Sequence, residues 1–213
     1  MGSSAYERIR CRVGGARLGR RLGQLLAGLA LYGLSMALMI RSGLGNMPWD
    51  VLHEGLVLTT GLSFAPVVVG VSAAVMLAWV PLRQRPGVGT LANAVLVGVF
   101  ADIALASIPD GDGWPVRVTL AVSGVLLNAV ATAAYIGVQL GPGPRDGLMT
   151  GLVRTTGGSL WLIRTSIEVA VVAVGWALGG TLGVVTVVYA LSIGPLVQPL
   201  LPRLTVTARH PSG

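Results

Sequence analysis

The chain has 213 residues, of which 53% are apolar and 11% are charged, and its mean hydropathy is +0.77. A soluble domain carries about 25% charged residues, so this composition excludes an ordinary water-soluble fold and points to the lipid bilayer as a partner. The formal net charge is +7, yet the fifteen Lys and Arg residues are all arginines, and most of them lie outside the apolar segments. This placement argues against a nucleic-acid partner.

The first 21 residues form an arginine-rich arm that holds six of the fifteen arginines. Most of the others lie in segments that share one side of the membrane with this arm if the spans alternate. The positive-inside rule then places residues 1–21 and the tail of residues 204–213 in the cytoplasm. The one cysteine, Cys11, lies in the arm, so no intrachain disulfide can form, and no cleavable signal peptide is expected.

Six charge-poor segments follow one another after the arm. A helix needs about 20 apolar residues to cross the hydrocarbon core, so each segment is predicted to be a transmembrane helix. The predicted spans are residues 22–40, 62–80, 88–108, 116–140, 160–178 and 181–201.

An internal repeat organises these spans. Residues 44–61 and 140–157 are identical at eleven of eighteen positions, with a constant offset of 96 residues. Residues 22–108 and 116–203 therefore form two repeats of three spans each. Because three is odd, the second repeat enters the membrane from the opposite face. The predicted fold is an all-α membrane protein with six transmembrane helices in two inverted three-helix repeats, a plan found in many secondary transporters.

The best-matched part of the repeat is the motif LGxxPxD, which interrupts the helical pattern in each half. Proline is favoured at the first position of a helix, so Pro48 and Pro144 are predicted to start short helices over residues 48–58 and 144–154. About eleven residues cannot cross the bilayer, so we expect broken or re-entrant helices at the membrane interface or within the membrane.

Asp50 and Asp146 are the third residues of these short helices, and two roles are open to them. A carboxylate there can stabilise the helix N-terminus by about 0.3–1 kcal/mol. The other role is to bind a solute, together with Pro48, Pro144 and Arg145, whose positive charge would attract an anion. These five residues are the predicted substrate-binding site.

Two acids lie within predicted spans, where ionisable residues are costly and often functional. Asp102 and Glu168 are the candidates for proton coupling. Asp102 also has a structural interpretation, as a residue near the outer interface. Arg164 lies four residues before Glu168, on the same helix face, and is expected to form an ion pair with it.

The sequence lacks the residues that most kinds of catalytic site need. Two histidines and one cysteine cannot form a metal cluster, and no catalytic site or cofactor is predicted. His53 is expected at the surface or the membrane interface. Trp49, Trp79, Trp114 and Trp161 fall near predicted span ends, where aromatic side chains commonly anchor helices at the interface.

The motifs LGNMPWDVLH at residues 44–53, GPRDGLM at 143–149 and IGPLVQ at 193–198 resemble the YczE/YyaS/YitT family of bacterial integral membrane proteins, closest to its YczE branch. The resemblance covers about residues 17–203. It implies a multi-pass protein of the bacterial inner membrane and carries over no substrate or catalytic residue.

Two functions are therefore weighed. The first is a secondary transporter or exporter of a small anionic or zwitterionic solute, coupled to protons. The alternative is a non-transporting membrane scaffold or accessory protein for a biosynthetic or secretion partner. An enzyme, such as a paired-aspartate hydrolase, is the least favoured class, and formation of a homodimer is left open.

Overall fold

The computed structural model describes residues 15–206, which fold into eight α-helices without a β-strand. The arginines and Cys11 of residues 1–14, and the tail from residue 207, lie outside the described residues. In chain order the helices are α1 Gly15–Ser42, α2 Pro48–Thr60, α3 Phe64–Ala78, α4 Val88–Ser107, α5 Trp114–Gly137, α6 Pro144–Thr156, α7 Leu160–Ala177 and α8 Val184–Leu204.

Five of these helices, α1, α4, α5, α7 and α8, are long and apolar enough to cross a membrane. The predicted second span, residues 62–80, holds only the 15-residue helix α3, about 22 Å long at 1.5 Å per residue. Helix α3 follows α2 after a short break with a bend of 118°. By length and composition, the described chain therefore has five candidate membrane spans, or six if α2 and α3 together count as one span.

The two short helices begin at Pro48 and Pro144, as predicted, and each ends two residues later than expected. Gly61 and Gly157 end them in the left-handed conformation, with φ of 70° and 68°. Glycine adopts this conformation without the steric cost that a side chain brings. The two copies of the motif therefore fold in the same way.

The two longest helices, α1 and α5, pack along each other at the centre of the bundle. Glycines allow this close approach: a Cβ atom on Gly28 would lie 3.0 Å from the backbone nitrogen of Tyr135, and one on Gly124 would lie 3.1 Å from the carbonyl oxygen of Ser35. Helix α4 packs on α1, and α8 packs on α5. Equivalent helices of the two repeats thus occupy equivalent places around the core.

Two backbone hydrogen bonds cross between the repeats in a reciprocal pattern. The N–H of Gly89 donates to the carbonyl of Leu140 at 2.8 Å, and the N–H of Val185 donates to that of Leu44 at 3.1 Å. Adding 96 to one donor number gives the other donor, and the same offset relates the two acceptors. The sequence repeat is therefore also a repeat of contacts.

The contact between α7 and α2 depends on Gly175, and this gives a stability prediction. A Cβ atom there would lie 2.6 Å from the Cα atom of Leu52, so Gly175→Ala is expected to destabilise the protein by about 1–3 kcal/mol through overpacking. Gly70→Ala is the matched control, because a Cβ atom at Gly70 meets no atom within 4 Å. Thermal unfolding in detergent measures both; equal unfolding temperatures would contradict the prediction.

Candidate functional site

A cavity of about 280 Å³ lies between the two repeats, and we call it the central cavity. Its wall is built largely from pairs of residues that occupy the same position in each repeat. Seven such pairs line it: Met47 and Gly143, Pro48 and Pro144, Trp49 and Arg145, Val68 and Arg164, Ser72 and Glu168, Asn93 and Tyr189, and Val97 and Ile193.

The first residues of both short helices face this cavity: Pro48 and Trp49 of α2, and Pro144 and Arg145 of α6. A helix N-terminus carries a partial positive charge and free N–H groups. The structure therefore brings two helix N-termini, predicted from the LGxxPxD motifs, to the central cavity.

Arg145 is one of two arginines that line the central cavity, the other being Arg164. Its guanidinium lies 3.7 Å from the Oδ1 atom of Asp50 and 5.2 Å from the centre of the Trp49 ring. The distance to Asp50 is too long for a hydrogen bond, and within residues 15–206 the side chain forms none. A guanidinium offers five N–H donors in a plane that matches a carboxylate, so Arg145 is placed to bind one.

Asp50 is buried, with a side chain that is 1% exposed. Its Oδ1 atom lies 3.1 Å from Nδ1 of His53, and its Oδ2 atom has no hydrogen-bond partner among the described residues. His53 is also 1% exposed, so the prediction of a surface or interface histidine is wrong. The histidine is buried because it faces Asp50 on one side and the ring of Phe64 on the other, 5.7 Å away.

Asp146, the repeat partner of Asp50, lines the central cavity. It accepts a 2.5 Å hydrogen bond from the hydroxyl of Tyr135. In the described part of the chain, neither aspartate bonds a backbone N–H of its own helix. Any effect on the helix ends comes from their charge alone, and both carboxylates have side-chain partners instead.

Arg164 and Glu168 form the predicted ion pair, with 2.9 Å between Nε and Oε1. Both side chains line the central cavity on α7. The corresponding residues of the first repeat, Val68 and Ser72, are uncharged. The charged pair therefore makes one wall of the cavity different from the other.

Asp102 lies outside the lining of the central cavity. Its two carboxylate oxygens accept hydrogen bonds from the backbone N–H groups of Phe64, at 2.9 Å, and Ala65, at 3.0 Å. These groups belong to the first residues of α3, whose N–H groups have no partner within the helix. Asp102 thus caps α3 from the neighbouring helix α4. Its role in proton coupling remains a prediction, and its side chain does not line the cavity.

Two variants of Asp102 separate capping from proton coupling. Asp102→Ala is expected to lower the free energy of unfolding by about 1–2 kcal/mol, because the cap is lost. Asp102→Asn keeps an oxygen that can accept one of the two bonds, and we expect it to preserve both most of the stability and any proton movement in liposomes. Loss of proton movement in a stably folded Asp102→Asn protein would assign the carboxylate to coupling.

Sequence reasoning missed the aromatic lining of the cavity. Tyr32, Tyr135 and Tyr189, which are all the tyrosines of residues 15–206, line it together with Trp49. Trp49 and Trp79 were expected at the membrane interface, but they are 6% and 2% exposed. The ring of Trp79 packs against Gly147 of α6, and its Nε1 donates a hydrogen bond to the carbonyl of Pro144.

Trp114 and Trp161 are 67% and 73% exposed, as residues that anchor a helix in lipid would be. The 96-residue offset could have directed attention to the missed positions, because Trp49 is the repeat partner of Arg145.

The apolar spanning helices and the polar cavity among them define a multi-pass helical membrane protein. The family model described as "Family of unknown function (DUF6198)" matches residues 19–201, so the chain belongs to that family. The chain is 37% identical over 187 residues to an "Uncharacterized protein" of Haemophilus influenzae, covering 88% of this chain and 84% of the relative.

The resemblance to the YczE branch is also confirmed. The chain is 29% identical over 185 residues to the "Uncharacterized membrane protein YczE" of Bacillus subtilis, covering 83% of each protein. No solved structure matches the chain.

Proposed function

We propose that the protein is a secondary transporter of the bacterial plasma membrane, built from two inverted repeats with both termini in the cytoplasm. The observation that carries the proposal is the central cavity, whose wall combines equivalent residues of both repeats. Transporters with inverted repeats bind their solutes at this place, between broken helices. A scaffold or accessory protein, the alternative class, needs no such cavity.

The solute would be a small anion or zwitterion, and the charges around the cavity favour a zwitterion. Arg164 and Glu168 neutralise each other. Arg145 then stands beside two carboxylates, those of Asp50 and Asp146, so a purely anionic solute would meet an excess of negative charge. A zwitterion can place its carboxylate on Arg145 and its cationic group near Asp146.

Proton coupling would use a carboxylate that faces the cavity. Glu168→Gln is expected to abolish solute-driven proton movement and to leave solute binding within about threefold of wild type. Binding is spared because Arg145, the proposed partner of the solute's carboxylate, stays in place, whereas the group that gains and loses a proton is gone. A pH-sensitive dye inside liposomes measures the proton movement; unchanged proton movement in this variant would remove Glu168 from the mechanism.

The proposed function is tested with purified protein in liposomes that contain a pH-sensitive dye. A panel of small amino acids, betaines and monocarboxylates is added outside, and both solute uptake and internal pH are recorded. Uptake of at least one zwitterion, absent from empty liposomes and from an Arg145→Gln protein, is the expected result. If no solute on the panel moves, and thermal unfolding shows no stabilisation by any of them, the scaffold class replaces the transporter.

A further inference from the structure

Helices α3 and α4 of the first repeat pack directly against each other, which we call the closed arrangement. A Cβ atom on Gly98 of α4 would lie 2.9 Å from the Cα atom of Ala65 in α3, so the two backbones touch. The carboxylate of Asp102, one turn further along α4, bonds the N-terminus of α3. Backbone contact and a charged cap together hold this helix pair shut.

The equivalent helices of the second repeat, α7 and α8, stand apart. Gly194 corresponds to Gly98, but a Cβ atom there meets no atom within 4 Å. Gln198 corresponds to Asp102, but it is exposed and bonds no backbone group of α7 among the described residues. Gly194 and Gln198 instead line the central cavity, whereas Gly98 and Asp102 do not.

Helix α7 packs on α2 instead of on α8, with Gly175 at the close contact. The same sequence unit therefore occurs in two arrangements in one molecule, one closed and one open. Since the repeats share their backbone plan, the arrangement of each half shows a conformation that the other half can also adopt.

We propose that α7 and α8 form the gate of the central cavity, open in this structure, and that the gate closes when α7 moves onto Gly194 as α3 now rests on Gly98. This inference rests on the proposed function, because it describes how the cavity of a transporter opens to one side at a time. Closure would bring Gln198 to the N-terminus of α7. An amide binds such N–H groups less strongly than a carboxylate, so the second gate closes less firmly than the first.

The test measures distances between spin labels in the full chain, in lipid nanodiscs and a Cys11→Ser background. One pair, Val169→Cys with Leu191→Cys, reports on α7 and α8. The other, Ala73→Cys with Val95→Cys, occupies the equivalent positions on α3 and α4. All four side chains are exposed in the structure. We expect the α7–α8 pair to show a longer main distance than the α3–α4 pair, with a minor shorter population.

Two further substitutions move the gate in opposite directions. Gln198→Asp supplies the carboxylate that α4 uses, and it is expected to increase the short α7–α8 population at least twofold. Gly194→Leu adds a side chain where α7 would pack, at a position whose Cβ atom meets no atom within 4 Å in the open arrangement, and is expected to eliminate that population. An α7–α8 distribution that neither substitution changes, or that matches the α3–α4 pair in wild type, would overturn the proposal. Neither result depends on transport, so failure of the gate and failure of the proposed function are distinguishable.

Discussion

Arg145→Gln is expected to weaken solute binding by about 30-fold or more. The substitution removes the arginine that is proposed to bind the solute's carboxylate, and truncating one partner of a charged contact costs about 2 kcal/mol or more. Arg145→Lys keeps the charge but loses the planar set of donors, so an intermediate loss is expected. Calorimetric titration with the best solute of the liposome panel measures the three affinities.

Arg85→Gln is the control for this prediction, because Arg85 is an exposed residue that does not line the cavity. Its affinity should equal that of the wild type. Equal affinities of the Arg145→Gln and Arg85→Gln proteins would place the solute away from Arg145.

Asp50→Ala is expected to lower the free energy of unfolding by about 3 kcal/mol. Removing one partner of a buried ionic contact costs about 3–5 kcal/mol, and the lower end applies because Arg145 is 23% exposed. The substitution also leaves His53 buried without its partner. Asp50→Asn keeps an oxygen for His53 and should retain most of the stability. Thermal unfolding in detergent, with Tm as the readout, compares these proteins.

The repeat partner of Asp50 serves as the matched control. Asp146 is less buried and bonds the uncharged hydroxyl of Tyr135, so Asp146→Ala should cost only about 1 kcal/mol. A larger loss of stability in Asp146→Ala than in Asp50→Ala would contradict the prediction that Asp50 is the more important of the two for stability.

The local parts of the structure could be predicted from the sequence. The start of a helix depends on nearby residues, so Pro48 and Pro144 predicted where the two short helices begin. The predicted ends were two residues too early. An ion pair between Arg164 and Glu168 follows from a spacing of four on one helix. The repeat motif named Pro48, Pro144 and Arg145, which lie together at the central cavity.

Contacts between distant segments could not be predicted in this way. Asp102 has its role from Phe64 and Ala65, which lie 38 and 37 residues earlier in the chain. Trp79 packs against Gly147 and donates a hydrogen bond to the carbonyl of Pro144, 65 residues later. Hydropathy and periodicity assign a residue to a span or to its end, and they do not say which neighbour shields it.

The differences between the two halves also bear on function. Trp49 is the repeat partner of Arg145, and Ser72 is the repeat partner of Glu168. Equivalent positions of the two repeats therefore carry different side chains at the same cavity. A symmetric wall would offer the same groups twice. Under the proposed function, the unequal pairs would give a bound solute one orientation, with its anionic end toward Arg145.

The inverted repeat is the central claim, and a pair of matched labelling sites tests it most directly. Pro86 and Leu182 are separated by the repeat offset of 96, and both are exposed in the loops before α4 and α8. Single Pro86→Cys and Leu182→Cys proteins, in a Cys11→Ser background, are treated in intact cells with a membrane-impermeant thiol reagent. We expect position 182 to be labelled in intact cells. Position 86 should be labelled only after the membrane has been made permeable to the reagent. Labelling of both positions from the same side would contradict the inverted arrangement.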